Sequence, residues 1–372
     1  MNIAIMIGSM NRGGTERVIA NLSNYLVRCG DTVSIVSLHV EKDEYELNPA
    51  VGRYVWDLTE EETKGGVIGR ISNYKARKNK LGNIIRKINP DLVLSFIGKN
   101  NIMALLTAGR MGIPVAVAVR GEPTEEYYNT WMRILSKTLF AKAQSVILQT
   151  GGQLAYFPKK IRNKAVILKN PLNEKFMTQP VPLDERDPLI VAVGRIDANK
   201  NHKMIIDAFS NISDEFPEYR LKIFGEGELK ETLTEYVKTL GKADKIELPG
   251  RITDVADAIK KARVFVLTSN TEGSPNTLIE AMCLSICCIS TDCPSGGPGE
   301  LITPGENGLL IPVGDTAKMQ DVLQNLLNNL HEINRISQKA LATRDIFKPE
   351  IVLEQWRDVL QSIIKQGKAN SN

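Results

Sequence analysis

Two glutamates, Glu272 and Glu280, bracket the stretch TEGSPNTLIEAM (271–282). Between them Gly273, Ser274 and Pro275 spell a turn, and Asn276, Thr277 and Leu278 open an apolar helical run. Ser274 suits an N-cap and Pro275 a first helical position, so Glu280 falls about 7 Å up the helix at roughly 1.5 Å per residue. The first N–H groups of such a helix, those of Asn276 and Thr277, favour an anion. Neither carboxylate can usefully touch an anion, but each can accept hydrogen bonds from hydroxyls on either side of it. A second stretch, VGRIDANKN (193–201), sets Arg195 and Lys200 just after a strand pattern. A planar guanidinium fork and a point-charge ammonium so spaced can converge on a diphosphate. Phosphate in the middle and hydroxyls at both ends describe a nucleotide-sugar.

Other glycine loops are less specific. In GGTERV (13–18), Gly13 and Gly14 run into a helix opened by Thr15 and Glu16; this is either a backbone approach to an anion or a tight turn capped by Thr15. No Gly-Lys-Ser/Thr follows, so it is not a Walker loop. Gly225 and Gly227 in IFGEGEL lack the third glycine of a dinucleotide fingerprint, since position 230 is Lys230. They let a base or ribose pack on bare backbone, or they only make a turn. Two carboxylates could also serve a glycosidase, which needs them about 5 Å apart for retention or about 6.5–9.5 Å for inversion; the phosphate-binding residues around them argue against hydrolysis.

Short β-branched runs alternating with helical stretches must position these loops, the pattern of βαβ units and a parallel sheet. Strands are predicted at 2–8, 32–38, 91–97, 114–120, 145–150 and 164–170, and again at 189–195, 220–227, 245–250, 264–269, 287–291 and 307–312. The proline-rich stretch 170–188 interrupts them. The expectation is an α/β chain of two tandem Rossmann-like domains with a cleft between them. A first domain covers 1–172, a linker 173–188 and a second domain 189–347. A C-terminal helix over 348–372 is expected to pack back on the first domain. With ligands at strand carboxyl ends, the motif residues fall where they should.

Composition, at 42% apolar and 24% charged, is that of a globular protein, and no apolar run approaches the ~18 residues of a membrane span. The N-terminus shows no secretory pattern, and five cysteines, an odd number, suit a reducing cytoplasm. Cys283, Cys287, Cys288 and Cys293 lie among apolar neighbours and read as buried packing residues. Net charge is +4, but residues 1–180 hold 25 Lys and Arg against 15 Asp and Glu. The run 70–87 has seven cations and no acid, either a solvated helix face or a surface for an anionic membrane. Trp131, Arg133, Lys137, Phe140 and Lys142 make a basic amphipathic stretch that either lies on a bilayer or packs its apolar members against the sheet. No nucleic-acid partner is expected.

Taken in order, GGTER (13–17), NP (170–171), VGRIDANKN (193–201), GEGEL (225–229), LPGRITDV (248–255), the Glu272–Glu280 pair, STDCPSGGPGEL (290–301) and GENGLLIP (305–312) resemble glycosyltransferase family 4 over nearly the whole chain. The resemblance implies the GT-B fold and retaining transfer of a hexose or N-acetylhexosamine from a nucleotide-diphosphate sugar, uridine being favoured over guanosine. It implies that Arg195 and Lys200 hold the diphosphate, Glu280 the ribose, Glu272 the transferred sugar, and the backbone of Arg251 and Ile252 the base. Gly14 would lie beside the donor phosphate. Family members often carry a histidine where this chain has Arg120-Gly121-Glu122-Pro123, and His39, His202 and His331 fall in none of the first-domain site loops. Arg120 or Glu122 is the expected substitute. No metal is expected, since no Asp-x-Asp motif occurs and the cations supply the charge. A saccharide linked to a polyprenyl diphosphate, as in capsule or O-antigen assembly, is the expected acceptor. The rival readings are a nucleotide-sugar epimerase and a two-domain sugar-binding protein.

Overall fold

The computed structural model describes residues 1–11, 13–60 and 62–369. Arg12, beside the first glycine pair, and the last three residues of the expected tail lie outside them. The chain forms two compact units, Met1–Pro171 with the C-terminal helix from Glu350, and Leu172–Pro349.

In the first unit, β1 (Asn2–Ile7), β2 (Thr32–Ser37), β3 (Gly52–Val55), β4 (Leu92–Phe96), β5 (Val115–Ala118), β6 (Ser145–Leu148) and β7 (Ala165–Ile167) form one sheet in the order β3-β2-β1-β4-β5-β6-β7. Every pairing is parallel. Such strands are covered on both faces, which is why they read as unbroken apolar runs. Successive side chains still point to opposite faces. Ile3, Ile5 and Ile7 meet the helices Gly14–Arg28 and Pro349–Ala369 through Ile19, Leu22, Val352 and Leu360. Ala4 and Met6 face the helices Gly66–Ile88, Gly98–Thr107 and Thr130–Leu139 through Leu81, Ile85, Leu105 and Met132. Trp356 anchors the C-terminal helix: it is fully buried, stacks on Phe96 with centroids 6.2 Å apart and donates from Nε1 to the Lys169 carbonyl at 2.8 Å.

The second unit repeats the scheme with β8 (Asp187–Val193), β9 (Arg220–Phe224), β10 (Ile246–Gly250), β11 (Ala262–Leu267), β12 (Cys287–Thr291) and β13 (Leu309–Ile311), all parallel in the order β10-β9-β8-β11-β12-β13. Both are doubly wound sheets, as the alternation predicts. Differences are local. The sequence reading passes over β3, because GRYV lacks an apolar face and sits half-buried at a sheet edge. The stretch taken as a linker holds two short 3-10 turns, Glu174–Met177 and Leu183–Glu185, and then the start of β8.

Adjacent Cys287 and Cys288 face opposite sides of β12. Burial pushes the thiols of Cys283 and Cys287 up to about 12 and Cys293 to about 11. Thiolate, not thiol, is the reactive form. Titration of the native protein with a thiol reagent is therefore expected to label Cys29 alone, the one exposed cysteine, and to reach all five only on unfolding. A second fast-reacting thiol in the native state would contradict this packing.

Candidate active site

In the second unit the loop after β8 meets the loop after β11. Lys200 Nζ pairs with Glu272 Oε1, and the two side chains are only 17% and 12% exposed. Ser269 Oγ donates to the same oxygen at 2.6 Å. Asp197 shapes the turn that delivers the lysine: Oδ1 accepts from Lys200 N at 2.9 Å, and Oδ2 holds Arg195 Nη2 at 3.1 Å. Arg195 is otherwise out in solvent, its side chain 78% exposed. Buried His202 follows in the chain; desolvation, with Lys200 beside it, pushes its imidazole down to about 4, so it is neutral at pH 7.

Asn199 ties the two loops together. Its Nδ2 donates to the Thr271 carbonyl at 3.1 Å, and its Oδ1 accepts from Thr271 N and Oγ1 at 3.1 and 2.9 Å. Thr268 Oγ1 donates to the Lys200 carbonyl at 2.7 Å. Asn199, Ser269 and Asp197 are absent from the sequence-based site. The part of Asn199 arises from contacts 72 residues away in the chain, which local spacing does not display, whereas Asp197 and Ser269 act on residues two or three positions away.

The helix after Glu272 runs Asn276–Cys283 with Pro275 at its N-cap. That is one residue later than expected, and Pro275, not Ser274, occupies the cap; the Pro275 carbonyl takes the N–H groups of Leu278 and Ile279 at 3.1 and 3.2 Å. The N–H groups of Asn276 and Thr277 come ahead of that ladder, as at any helix start. Glu280 is completely buried in this unit, as is Leu278, whereas Asn276 and Thr277 are partly open. The Gly273 carbonyl lies where a Cβ on Gly297 would sit, 1.8 Å away, so the loop after β12 reaches Gly273 only because position 297 is glycine.

The two glycines after β9 have a comparable reason. A Cβ on Gly225, whose φ is +151°, would lie 1.8 Å from the Gly194 carbonyl, and one on Gly227 would lie 2.3 Å from the Ile196 carbonyl. Bare backbone here lets the loop run under the one that carries Arg195. Nearby, Arg251 is exposed, with its N–H on Glu226 Oε1 at 3.4 Å, and Ile252 is half-buried.

In the first unit, Gly13 is the N-cap of the helix that starts at Gly14, so Thr15 stands inside the first turn and is not its cap. The Glu16 carboxylate lies against Gly13, 2.3 Å from where a Cβ would be. Arg120, after β5, is turned inward: its guanidinium lies over Phe96 at 5.6 Å, donates from Nη2 to Asn170 Oδ1, and is lowered by burial to about 10. Glu122 caps the short helix Pro123–Glu126 through Thr124 N at 3.3 Å. Glu126 was not anticipated. Its carboxylate, raised by desolvation, accepts from the backbone N–H groups of Gly98 (2.8 Å), Arg120 (2.9 Å) and Gly121 (3.3 Å) and from Tyr127 Oη (2.8 Å).

A lysine and a carboxylate sharing a mostly dry contact depend on one another, because removing either leaves the other charge uncompensated. Lys200→Met and Glu272→Gln are each expected to lower the stability of the second unit. In a urea-denaturation double-mutant cycle their coupling should be about 0.5–3 kcal/mol. Simple additivity would mean that the two groups do not interact in solution.

Two family descriptions match consecutive halves of the chain: Glycosyltransferase Family 4 over residues 12–173 and Glycosyl transferases group 1 over 173–342. Among similar proteins is the GalNAc-alpha-(1->4)-GalNAc-alpha-(1->3)-diNAcBac-PP-undecaprenol alpha-1,4-N-acetyl-D-galactosaminyltransferase of Campylobacter jejuni, 25% identical over 98% of this chain and 99% of its own. Another is the amylovoran biosynthesis glycosyltransferase AmsD of Erwinia amylovora, 24% identical over 96% and 99%. The crystal structure of Anabaena Alr3699/HepE in complex with UDP and glucose matches with a TM-score of 0.81 at 15% identity, covering 97% of this chain and 100% of that one. With both halves matched in order and both sheets in place, this chain belongs to the glycosyltransferases, a GT-B enzyme made of a Family 4 half followed by a group 1 half.

Proposed function

We propose that this enzyme transfers a hexose or N-acetylhexosamine, with retention of anomeric configuration, from a UDP-sugar to a saccharide carried on a polyprenyl diphosphate, in the assembly of a surface polysaccharide. The observation that carries the donor site is the Lys200–Glu272 pair, placed between exposed Arg195 and the start of the Asn276–Cys283 helix. The support for uridine is the UDP held by the HepE crystal, and for the acceptor the undecaprenol-linked saccharide in the name of the Campylobacter relative.

In this reading the diphosphate lies at the helix start, with Arg195 and Lys200 against it. Glu272 exchanges Lys200 for the hydroxyls of the transferred sugar, Gly273 and Ser274 line the turn, and Glu280 takes the ribose. The base lies along the backbone of Arg251 and Ile252, near Gly225. Gly13 and Gly14 after β1 are the first unit's residues for the donor phosphate, and Thr15, Arg120 and Glu122 its residues for the acceptor or sugar. As the bond from the anomeric carbon to the diphosphate oxygen breaks, charge grows on that diphosphate. Fixed cations and helix dipoles stabilise it, an arrangement of the kind typically worth several kcal/mol. The departing phosphate oxygen takes the proton of the acceptor hydroxyl as that hydroxyl bonds to the anomeric carbon on the same face. With cations in this role, the diphosphate needs no metal.

Calorimetric titration with UDP, GDP and NAD in the presence of EDTA tests the donor assignment. UDP is expected to bind with micromolar affinity, and Lys200→Ala to weaken it at least about tenfold, equivalent to roughly 1.4 kcal/mol. Binding of NAD but of neither UDP nor GDP would overturn the reading.

A further inference from the structure

The Thr130–Leu139 helix buries Met132 and Ser136 against the first unit and turns Trp131 and Ile134 outward, with Tyr128 exposed just ahead of it. Trp131 is 76% exposed. On the Gly66–Ile88 helix Ile71 and Tyr74 are likewise open. Both helices cover the same face of the sheet and flank the Gly98–Thr107 helix. Since the strands are parallel, each helix begins at the edge where strands end, and these five side chains lie toward that edge. Single exposed apolar residues are ordinary, but two aromatics and an isoleucine together, with a second aromatic–aliphatic pair on the helix across Gly98–Thr107, are not scattered.

Charge identifies what covers them. Within 70–87, Arg77 pairs with Asp57 and Lys80 with Glu62, while Arg70, Lys75 and Lys78 meet no carboxylate among the described residues. The Thr130–Leu139 helix adds Arg133 and Lys137 and no acid. Of the carboxylates in the short turn before it, Glu126 is turned inward, Glu122 caps Thr124 and Glu125 is exposed, one open acid against the two cations of the helix. Tryptophan and tyrosine favour the headgroup layer of a bilayer, and unpaired cations beside them favour anionic lipid. We infer that this edge of the first unit docks on an anionic membrane surface, with Tyr128, Trp131 and Ile134 entering the headgroup layer and Arg70, Lys75 and Lys78 facing its charge. The inference rests on exposure and charge and does not depend on the donor assignment.

The protein carries its own reporter, because Trp56 and Trp356 are buried and Trp131 is not. On adding the full chain to phosphatidylcholine vesicles containing phosphatidylglycerol, tryptophan emission is expected to shift to the blue and to be quenched by brominated lipid. Vesicles of phosphatidylcholine alone should give little change, and high salt should reverse the shift. Trp131→Ala combined with Ile134→Ser is expected to weaken co-sedimentation with anionic vesicles about tenfold or more, and Lys75→Glu with Lys78→Glu to abolish the anionic preference. UDP affinity in both variants should equal that of the native chain, which shows them folded and separates this test from that of the donor site. An unshifted emission with anionic vesicles would overturn the inference. So would co-sedimentation unchanged by the Trp131 and Ile134 substitutions, which would leave that face for a protein partner.

Discussion

Within each unit's sheet the strands all run parallel, and this constraint governs nearly everything else. Parallel neighbours cannot be joined by a tight hairpin, so each needs a crossover, usually a helix, that returns the chain to the opposite edge. The consequence is a division of labour between the two edges of each sheet. Connections at one edge are free to vary, whereas strand ends and helix starts gather at the other. Arg195, Lys200, Glu272 and the Asn276–Cys283 helix all fall on the second kind of edge. In the first unit Gly13, Arg120 and Glu122 do the same. Chemistry collects there because backbone donors and loop side chains have no sheet partner to satisfy them.

The Lys200–Glu272 contact shows how the loops are kept in register. Asn199 joins them through both ends of its amide, and Ser269 loads a second donor onto the glutamate oxygen that the lysine already holds. A mobile lysine would otherwise lose side-chain entropy on meeting an anion; here much of its freedom is removed in advance. The pair is also nearly neutral as a unit, so the positive charge left open at this edge is chiefly that of exposed Arg195 and of the helix start.

Much of this was legible in the sequence, for a definable reason. Apolar runs with turn punctuation mark buried parallel strands strongly, so twelve of the thirteen strands among the described residues lie within a few residues of their predicted bounds. The exception, β3, is a half-buried edge strand without the pattern of a covered one. Residue chemistry at strand ends singles out Arg195, Lys200 and Glu272, and the fold brings Lys200 and Glu272 into contact. What stayed hidden were residues whose part depends on distant chain. Asn199 and Glu126 look like ordinary polar residues until folding brings Thr271 to the one and three backbone N–H groups to the other. The orientation of Trp131 was hidden too, since periodicity alone does not tell the inner face of a short helix from the outer.

The return of the C-terminal helix to the first unit has a consequence for synthesis. Val352, Leu353, Trp356, Leu360 and Ile363 belong to the same apolar cluster as Ile3, Ile5 and Ile7. A ribosome adding about 5–20 residues per second therefore releases the whole second unit before it delivers the piece that closes the first. The unit begun first is completed last, and one face of its sheet has only the Gly14–Arg28 helix over it while a complete domain folds downstream. Nascent chains of this enzyme thus pass through an interval in which Ile3, Ile5, Leu92 and Leu94 lack their final cover.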